Sequence, residues 1–228
     1  VSLRIVIIGA PASGKSTLTG HILRENPGLA SFGVRRHFME QIRLGTEVGL
    51  AAKEVVEAGG WIPDELVAKA VRLEFERGVL GDDFVFEGMP GNRRQAELLD
   101  ELLDDLGLPL STAIHIDTPE EVCRERASRR MVCEACDGGS HQAVEDPERA
   151  GRCAKCGGPI TRRPADMPEY LAYRLQLHRK NGPEIVDFYR GPRLIEIDGR
   201  MSAAEVLAAA NARLAGPAAA SVPARSFR

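Results

Sequence analysis

Leu3-Arg-Ile-Val-Ile-Ile-Gly9-Ala-Pro-Ala-Ser-Gly14-Lys15-Ser16-Thr17 decides the fold. Leu3–Ile8 is a short, largely apolar run, the pattern of a strand buried on both faces. Gly9, Gly14, Lys15 and Ser16 fit the spacing G-x-x-x-x-G-K-[ST]. That motif requires a strand before it and a helix after it, and a helix is expected from about Lys15 to Arg24. A loop built on Gly9, Ala12, Ser13 and Gly14 leaves backbone N–H groups free to wrap phosphate oxygens, and the helix N-terminus adds positive potential. Lys15 is placed to reach the β- and γ-phosphates of a nucleoside triphosphate, and the Ser16 hydroxyl to ligate Mg²⁺.

The same rhythm continues along the chain. Phe84–Phe86, Ala113–Ile116 and Leu194–Ile197 are further strand candidates, each bounded by turn residues. Helical patterns occupy Gln95–Leu106, Pro119–Arg130, Pro168–Arg179 and Ala203–Leu214. Apolar strands alternating with helices predict an α/β fold with a parallel sheet covered on both faces. Val85-Phe86-Glu87-Gly88 ends a buried strand in an acid, so Glu87 is expected to hold Mg²⁺ together with Ser16, through water. Asp117 also ends a strand, and is expected to cap the helix that follows Pro119.

Residues 137–164 break the rhythm and read as an insert. Four of the five cysteines form two pairs, Cys133/Cys136 and Cys153/Cys156, which enclose 16 residues. This C-x₂-C-x₁₆-C-x₂-C spacing, with a Gly157-Gly158 turn, suits a zinc ribbon, and four thiolates close the coordination sphere of a structural Zn²⁺. Cys123 stands apart in a helical stretch, as a small buried hydrophobe.

At 228 residues, with 43% hydrophobic and 28% charged residues, the chain is long enough to bury a full core. A formal net charge of −3 disfavours a non-specific nucleic-acid binder. No apolar run is long enough for a membrane span, and the N-terminus lacks a signal-peptide pattern, so a cytoplasmic protein is expected. Residues 215–228, rich in Ala and Pro, are expected to form a disordered tail. Arg outnumbers Lys by 25 to 5, and Arg126, Arg129, Arg130, Arg162, Arg163 and Arg174 flank the cysteine insert. Guanidinium forks clamp phosphate oxygens in two-point contacts.

In this order the motifs resemble the adenylate kinase family of nucleoside monophosphate kinases, in its long form with a zinc-bearing lid. The resemblance is carried by Gly9–Thr17, Leu44–Gly49, Ala58–Val67, Glu87–Pro90 with Gln95-Ala96, the arginines up to Cys136, Cys153–Arg163, Arg174-Leu175, Pro183–Tyr189 and Ile197–Gly199. It implies a P-loop kinase domain over residues 1–214, with a five-stranded parallel core (1–31, 63–125 and 165–214). An acceptor-binding insert spans 32–62, and a mobile zinc lid spans 126–164. It implies ATP and Mg²⁺ as cofactors, a small-molecule phosphoryl acceptor, and a monomer with neither nucleic-acid nor membrane partners. Gly14, Lys15, Ser16 and Thr17 match the phosphate cradle, Arg126 the arginine that stacks on the donor adenine, and Arg130, Arg163 and Arg174 the transfer-site arginines. Ser16 stands where the family usually has Gly. Ala165 stands in place of the first of two lid aspartates, and Asp166 keeps the second.

The acceptor side departs further. Where the family usually reads Ser-Thr-Gly-Asp with an arginine four residues beyond the Gly, this chain reads Ser31-Phe32-Gly33-Val34-Arg35-Arg36-His37. Asp-Gly-Phe-Pro-Arg becomes Glu87-Gly88-Met89-Pro90-Gly91. His37 and Gly91 thus stand at the two acceptor-phosphate arginine positions. Phe32 is expected as a pocket wall that stacks on a ring, and Arg36 and His37 as acceptor contacts. Gly88 and Arg93, with Arg94 beside it, are expected near the acceptor phosphate, and Gln95 at the acceptor's adenine edge. Trp61 reads as packing. Two alternatives stay open: a kinase for a modified nucleotide or an unphosphorylated nucleoside, and a non-catalytic ATP-binding module.

Overall fold

The computed structural model describes residues 2–57, 60–133, 135, 140–142, 151–153 and 155–214. The expected tail at 215–228 and the ligand candidate Cys136 lie outside these residues. A five-stranded parallel sheet forms the centre, with β1 (Arg4–Gly9), β2 (Ala30–Gly33), β3 (Phe84–Glu87), β4 (Thr112–Asp117) and β8 (Leu194–Asp198) in the spatial order β2-β3-β1-β4-β8. The chain runs outward to one side of β1 and later to the other. A crevice therefore opens outside the carboxyl end of the central strand, where α/β sheets bind ligands.

Strand side chains alternate between faces, so β1 feeds two separate cores. Val6 and Ile8 pack with Phe84, Phe86, Leu99, Leu103 and Tyr189 on one face. Ile5 and Ile7 pack with Leu18, Ile22, Ile114, Ile197 and Val206 on the other. Helices α1 (Lys15–Glu25) and α8 (Ala203–Leu214) cover the second face. Helices α4 (Asp64–Glu76), α5 (Arg93–Asp105) and α7 (Pro168–Tyr189) cover the first.

Several elements depart from the pattern reading. Between Arg24 and Phe84 the pattern names no element, and the structure fills that stretch with β2, α2 (Val34–Leu44), α3 (Glu47–Glu57) and α4. Helices α2 and α3 cross so closely that a Cβ on Gly49 would lie 2.2 Å from the Gln41 backbone. Helix α7 runs ten residues past the expected end at Arg179, through Pro183. A proline inside a helix costs about 3 kcal/mol. Ile185, Val186 and Tyr189 beyond it are buried, and each buried large apolar side chain contributes about 1.5–3 kcal/mol, which exceeds that cost. Asp117 does not cap α6 (Glu120–Arg129), whose cap position is Pro119 with no side-chain bond.

After α6, strands β5 (Arg130–Cys133), β6 (Ser140–Gln142) and β7 (Ile160–Arg162) form a small antiparallel sheet in the order β6-β5-β7. Among the described residues, no helix is long and apolar enough to cross a membrane.

Candidate functional site

A cleft of about 1140 Å³ lies over the carboxyl ends of β1 and β3. Its donor half is the loop between β1 and α1. Gly9 is required there, because a Cβ would sit 2.7 Å from Ser13 Oγ and 2.8 Å from the Ile116 carbonyl. Ala12 adopts φ 65° and Gly14 φ 107°, so the loop curls back on itself. In a non-glycine residue such a φ is strained, and strain of this kind clusters at ligand clamps. The Lys15 ammonium donates to the carbonyls of Gly9 at 2.8 Å and Ala10 at 2.7 Å. The Ser16 hydroxyl donates to a Glu87 carboxylate oxygen. Both groups are hard oxygen donors facing the cleft, the donor set that suits Mg²⁺. Arg126 also lines the cleft, its guanidinium held 3.4 Å from the carbonyls of Ser13 and Met201. Gly9, Ala12, Ser13, Gly14, Lys15, Ser16 and Thr17 all border the same space.

Burial first, and then repulsion from Arg174, push the Lys15 amine down to about 8. An arriving polyphosphate would raise it again. Protonation therefore favours binding, with full affinity below pH 8 and a loss as pH rises through 8. The expected result is an ATP dissociation constant flat from pH 6 to 7.5 and weakening by up to about tenfold per pH unit above 8. Lys15→Met should flatten that profile in a fluorescence titration, and an equal slope in both proteins would count against the assignment.

Arg130, Arg163 and Arg174 come together around one carboxylate. Asp166 is fully buried, accepts from Arg130 Nε at 2.7 Å and from Arg163 at 3.0 Å, and lies 3.9 Å from Arg174. Burial alone would push the Asp166 carboxyl up, but the bonds from Arg130 and Arg163 outweigh it and hold the group below the usual carboxylate range. Burial and the neighbouring Arg163 lower Arg174 to about 10, so it stays charged at neutral pH. Three guanidinium groups and the Lys15 ammonium thus face one cleft with Asp166 and Glu87 as counter-charges.

The acceptor half brings together only part of the expected set. Arg36, Gly88 and Gln95 line the cleft. Phe32 does not; it is 3% exposed and packs against Phe86 and His37 inside the core. Its place on β2 directs it to the sheet face that α2 covers. His37 points the same way, 3.9 Å from Glu74, and burial together with Arg77 lowers it to about 4. A neutral, packed imidazole cannot attract a phosphate. Arg93 is also outside the cleft, bonded to Glu97 at 3.0 Å and stacked over Phe188. Its neighbour Arg94 lies 3.9 Å from Glu65. Both sit on the first turn of α5, whose outer side faces solvent.

Pattern reading missed Arg35, Asp64 and the role of Trp61. Trp61 lines the cleft, and its Nε1 donates to Asp64 at 3.0 Å. Its indole fills the space over Gly91, where a Cβ would lie 2.6 Å from the ring. Gln95 donates to the same Asp64 carboxylate at 2.9 Å and accepts from the Gly91 N–H at 2.7 Å. Glycine at 91, where the resemblance implies an arginine, was the available signal; its contact with Trp61 requires the fold.

In the lid, Cys133, Cys153 and Cys156 place their sulfurs within 4.8 Å of one another, and the Cys133 and Cys156 sulfurs are 3.5 Å apart. Tetrahedral Zn–S geometry implies an edge of about 3.8 Å. The backbone N–H groups of Ala135, Lys155 and Gly158 donate to these three sulfurs and fix their orientation. The residues therefore fit a structural Zn²⁺, with Cys136 as the fourth candidate. Cys123 is fully buried among Ala10, Ala127, Leu171 and Leu175, with its thiol 3.8 Å from the Thr118 carbonyl, in keeping with a packing role. Cys153→Ser should lower bound zinc, read by elemental analysis, and reduce the melting temperature by about 4 °C or more. Unchanged metal content would remove the lid assignment.

A family model described as adenylate kinase matches residues 7–193. A protein of Symbiobacterium thermophilum named adenylate kinase is 35% identical over 193 residues, covering 85% of this chain and 89% of its own length. One of Lysinibacillus sphaericus with the same name is 31% identical over 213 residues, 93% of this chain and 98% of its own. One of Oceanobacillus iheyensis, also so named, is 31% identical over 198 residues, 86% and 92% respectively.

Proposed function

The chain belongs to the adenylate kinase family, and on that premise we propose that it transfers the γ-phosphoryl group of Mg²⁺-bound ATP in line to a nucleoside monophosphate. The observation that carries this reading is the convergence of Lys15, Arg130, Arg163 and Arg174 on one cleft beside the phosphate loop. Phosphoryl transfer needs positioning and charge stabilisation and no protein nucleophile. In the proposed reaction the loop N–H groups and Lys15 hold the β- and γ-phosphates. Arg130, Arg163 and Arg174 spread the charge that develops on the transferred group. Arg126 lies across the donor's base. Ser16 and Glu87 would hold the Mg²⁺, which would supply positive charge to offset that of the phosphates. The region 126–164 acts as a lid over the nucleotide and the region 32–62 as the acceptor-binding insert, and closure excludes water that would otherwise hydrolyse ATP.

A second reading concerns the acceptor. His37 is in the core and Gly91 has no side chain, so the positions that match the family's acceptor-phosphate arginines supply no cation. This favours an acceptor other than ordinary AMP, a modified nucleotide or a nucleoside. The test is ADP formation from ATP and Mg²⁺ across AMP, GMP, CMP, UMP and the free nucleosides. Turnover with at least one monophosphate is expected. Tight ATP binding with no turnover on any monophosphate would overturn the proposal, and turnover on nucleosides alone would select the second reading.

A further inference from the structure

Arg35 lies in the first turn of α2, on the acceptor side of the cleft, and its side chain lines that cleft. Several surface arginines of α2 and α5 have a carboxylate: Arg43 has Glu40, Arg93 has Glu97, Arg94 has Glu65. Among the described residues, Arg35 has none, and the charges it meets are of its own sign, those of Arg163 and Arg174. Still open to solvent, it is crowded enough that desolvation and then Arg163 lower its pKa from the ordinary arginine value. Asp166, the nearby counter-charge, is already taken by Arg130 and Arg163. A long cation held among like charges is stabilised when an anion enters between them.

The rest of the acceptor half supplies little competition for that anion. His37 is packed in the core, Gly91 lies under the Trp61 indole, and Gln95 spends its amide on Asp64 and Gly91. Arg36 turns back to the Ser31 hydroxyl at 2.9 Å and the Ser31 carbonyl at 3.2 Å.

We propose that Arg35 binds the phosphate of the acceptor, so that the site selects a nucleoside monophosphate over the free nucleoside from a position one helix residue away from Arg36 and two from His37. This deepens the phosphotransferase reading above and rests on its assignment of the acceptor half. Arg35 shares the cleft with Arg163 and Arg174, the arginines assigned to the transferred group.

The test is calorimetric titration of each monophosphate, AMP, GMP, CMP and UMP, against its own nucleoside, in wild type, Arg35→Gln and Arg35→Lys. The expected result is that wild type prefers at least one monophosphate over its nucleoside by tenfold or more. Arg35→Gln should weaken that monophosphate by about 10- to 100-fold, with the nucleoside and ATP unchanged. Arg35→Lys should recover part of the loss, since it keeps the charge and loses the fork. The proposal is overturned if wild type shows no preference for any monophosphate. It is also overturned if Arg35→Gln leaves the preferred monophosphate unchanged, or weakens it and its nucleoside alike, as a merely structural role would. The expected binding pattern without ADP formation would uphold Arg35 and reject the transfer reaction, so the two failures are distinguishable.

Discussion

Lys15→Met is expected to lower kcat by about 10³-fold or more while leaving the fold intact, because transition-state charge stabilisation of this kind is worth that much. The Lys15 ammonium is the charge nearest the strand-to-helix loop, and its two carbonyl partners, Gly9 and Ala10, hold it at the mouth of that loop. Methionine keeps the length and the apolar stem and removes only the charge. The neighbouring arginines approach from another direction, around Asp166, and cannot take its place beside the loop backbone. ADP formation at saturating substrate reads the effect, and far-ultraviolet circular dichroism with a melting curve reads the fold. Activity within tenfold of wild type would remove Lys15 from the donor assignment.

Asp166→Ala should destabilise the protein by about 2–4 kcal/mol in urea denaturation at pH 7. Removing one partner of a buried ion pair costs about 3–5 kcal/mol when the charge left behind is buried. Here Arg130 is 17% exposed, but Arg163 and Arg174 are 34% and 36% exposed, so solvent screens part of their share. The folded protein holds the Asp166 carboxyl below its ordinary value. Its contribution is therefore present above the unfolded value of about 4 and is lost as pH falls through the folded one. Wild type and variant should differ fully at pH 7 and converge in strongly acidic solution. A difference that persists there would show that Asp166 stabilises by packing instead of charge. Ala165 beside it contributes no acid, only its carbonyl to Arg174, and among the described residues Asp166 is the carboxylate these three arginines share.

The donor half was legible because its chemistry is local. Gly9, Gly14, Lys15 and Ser16 lie in or beside one loop, and their spacing alone brings them to one side of the cleft. The cysteine pairs were legible for the same reason, since Cys-x-x-Cys is a local spacing, and among the described residues Cys133, Cys153 and Cys156 bring their sulfurs within 4.8 Å of one another. The acceptor half was not, because its residues come from β2, α2, α4 and α5 and meet only after folding. Phe32 and His37 occupy positions suggestive of a pocket, yet β2 pleat and α2 rotation turn both into the aromatic cluster with Phe86 and Phe38. Arg93 reads as a phosphate ligand beside Gly91, but the start of α5 directs it to Glu97 and Phe188. Arg35, adjacent to two residues that were named, takes the opposite side of the helix and enters the cleft.

The parallel α/β sheet, the glycine loop with its lysine, and the cysteine-bearing insert can all be read from the chain alone. These follow from hydrophobic period and short-range spacing, which act within a few residues of chain. Folding set which cations line the cleft beside α2, the cover of Trp61 over Gly91, and the passage of α7 through Pro183. Those outcomes depend on contacts between segments distant in sequence, where burial of Ile185 and Tyr189 outweighs a local helix penalty and a turn of about 200° along α2 separates Arg35 in the cleft from His37, packed against Phe32 and Phe38.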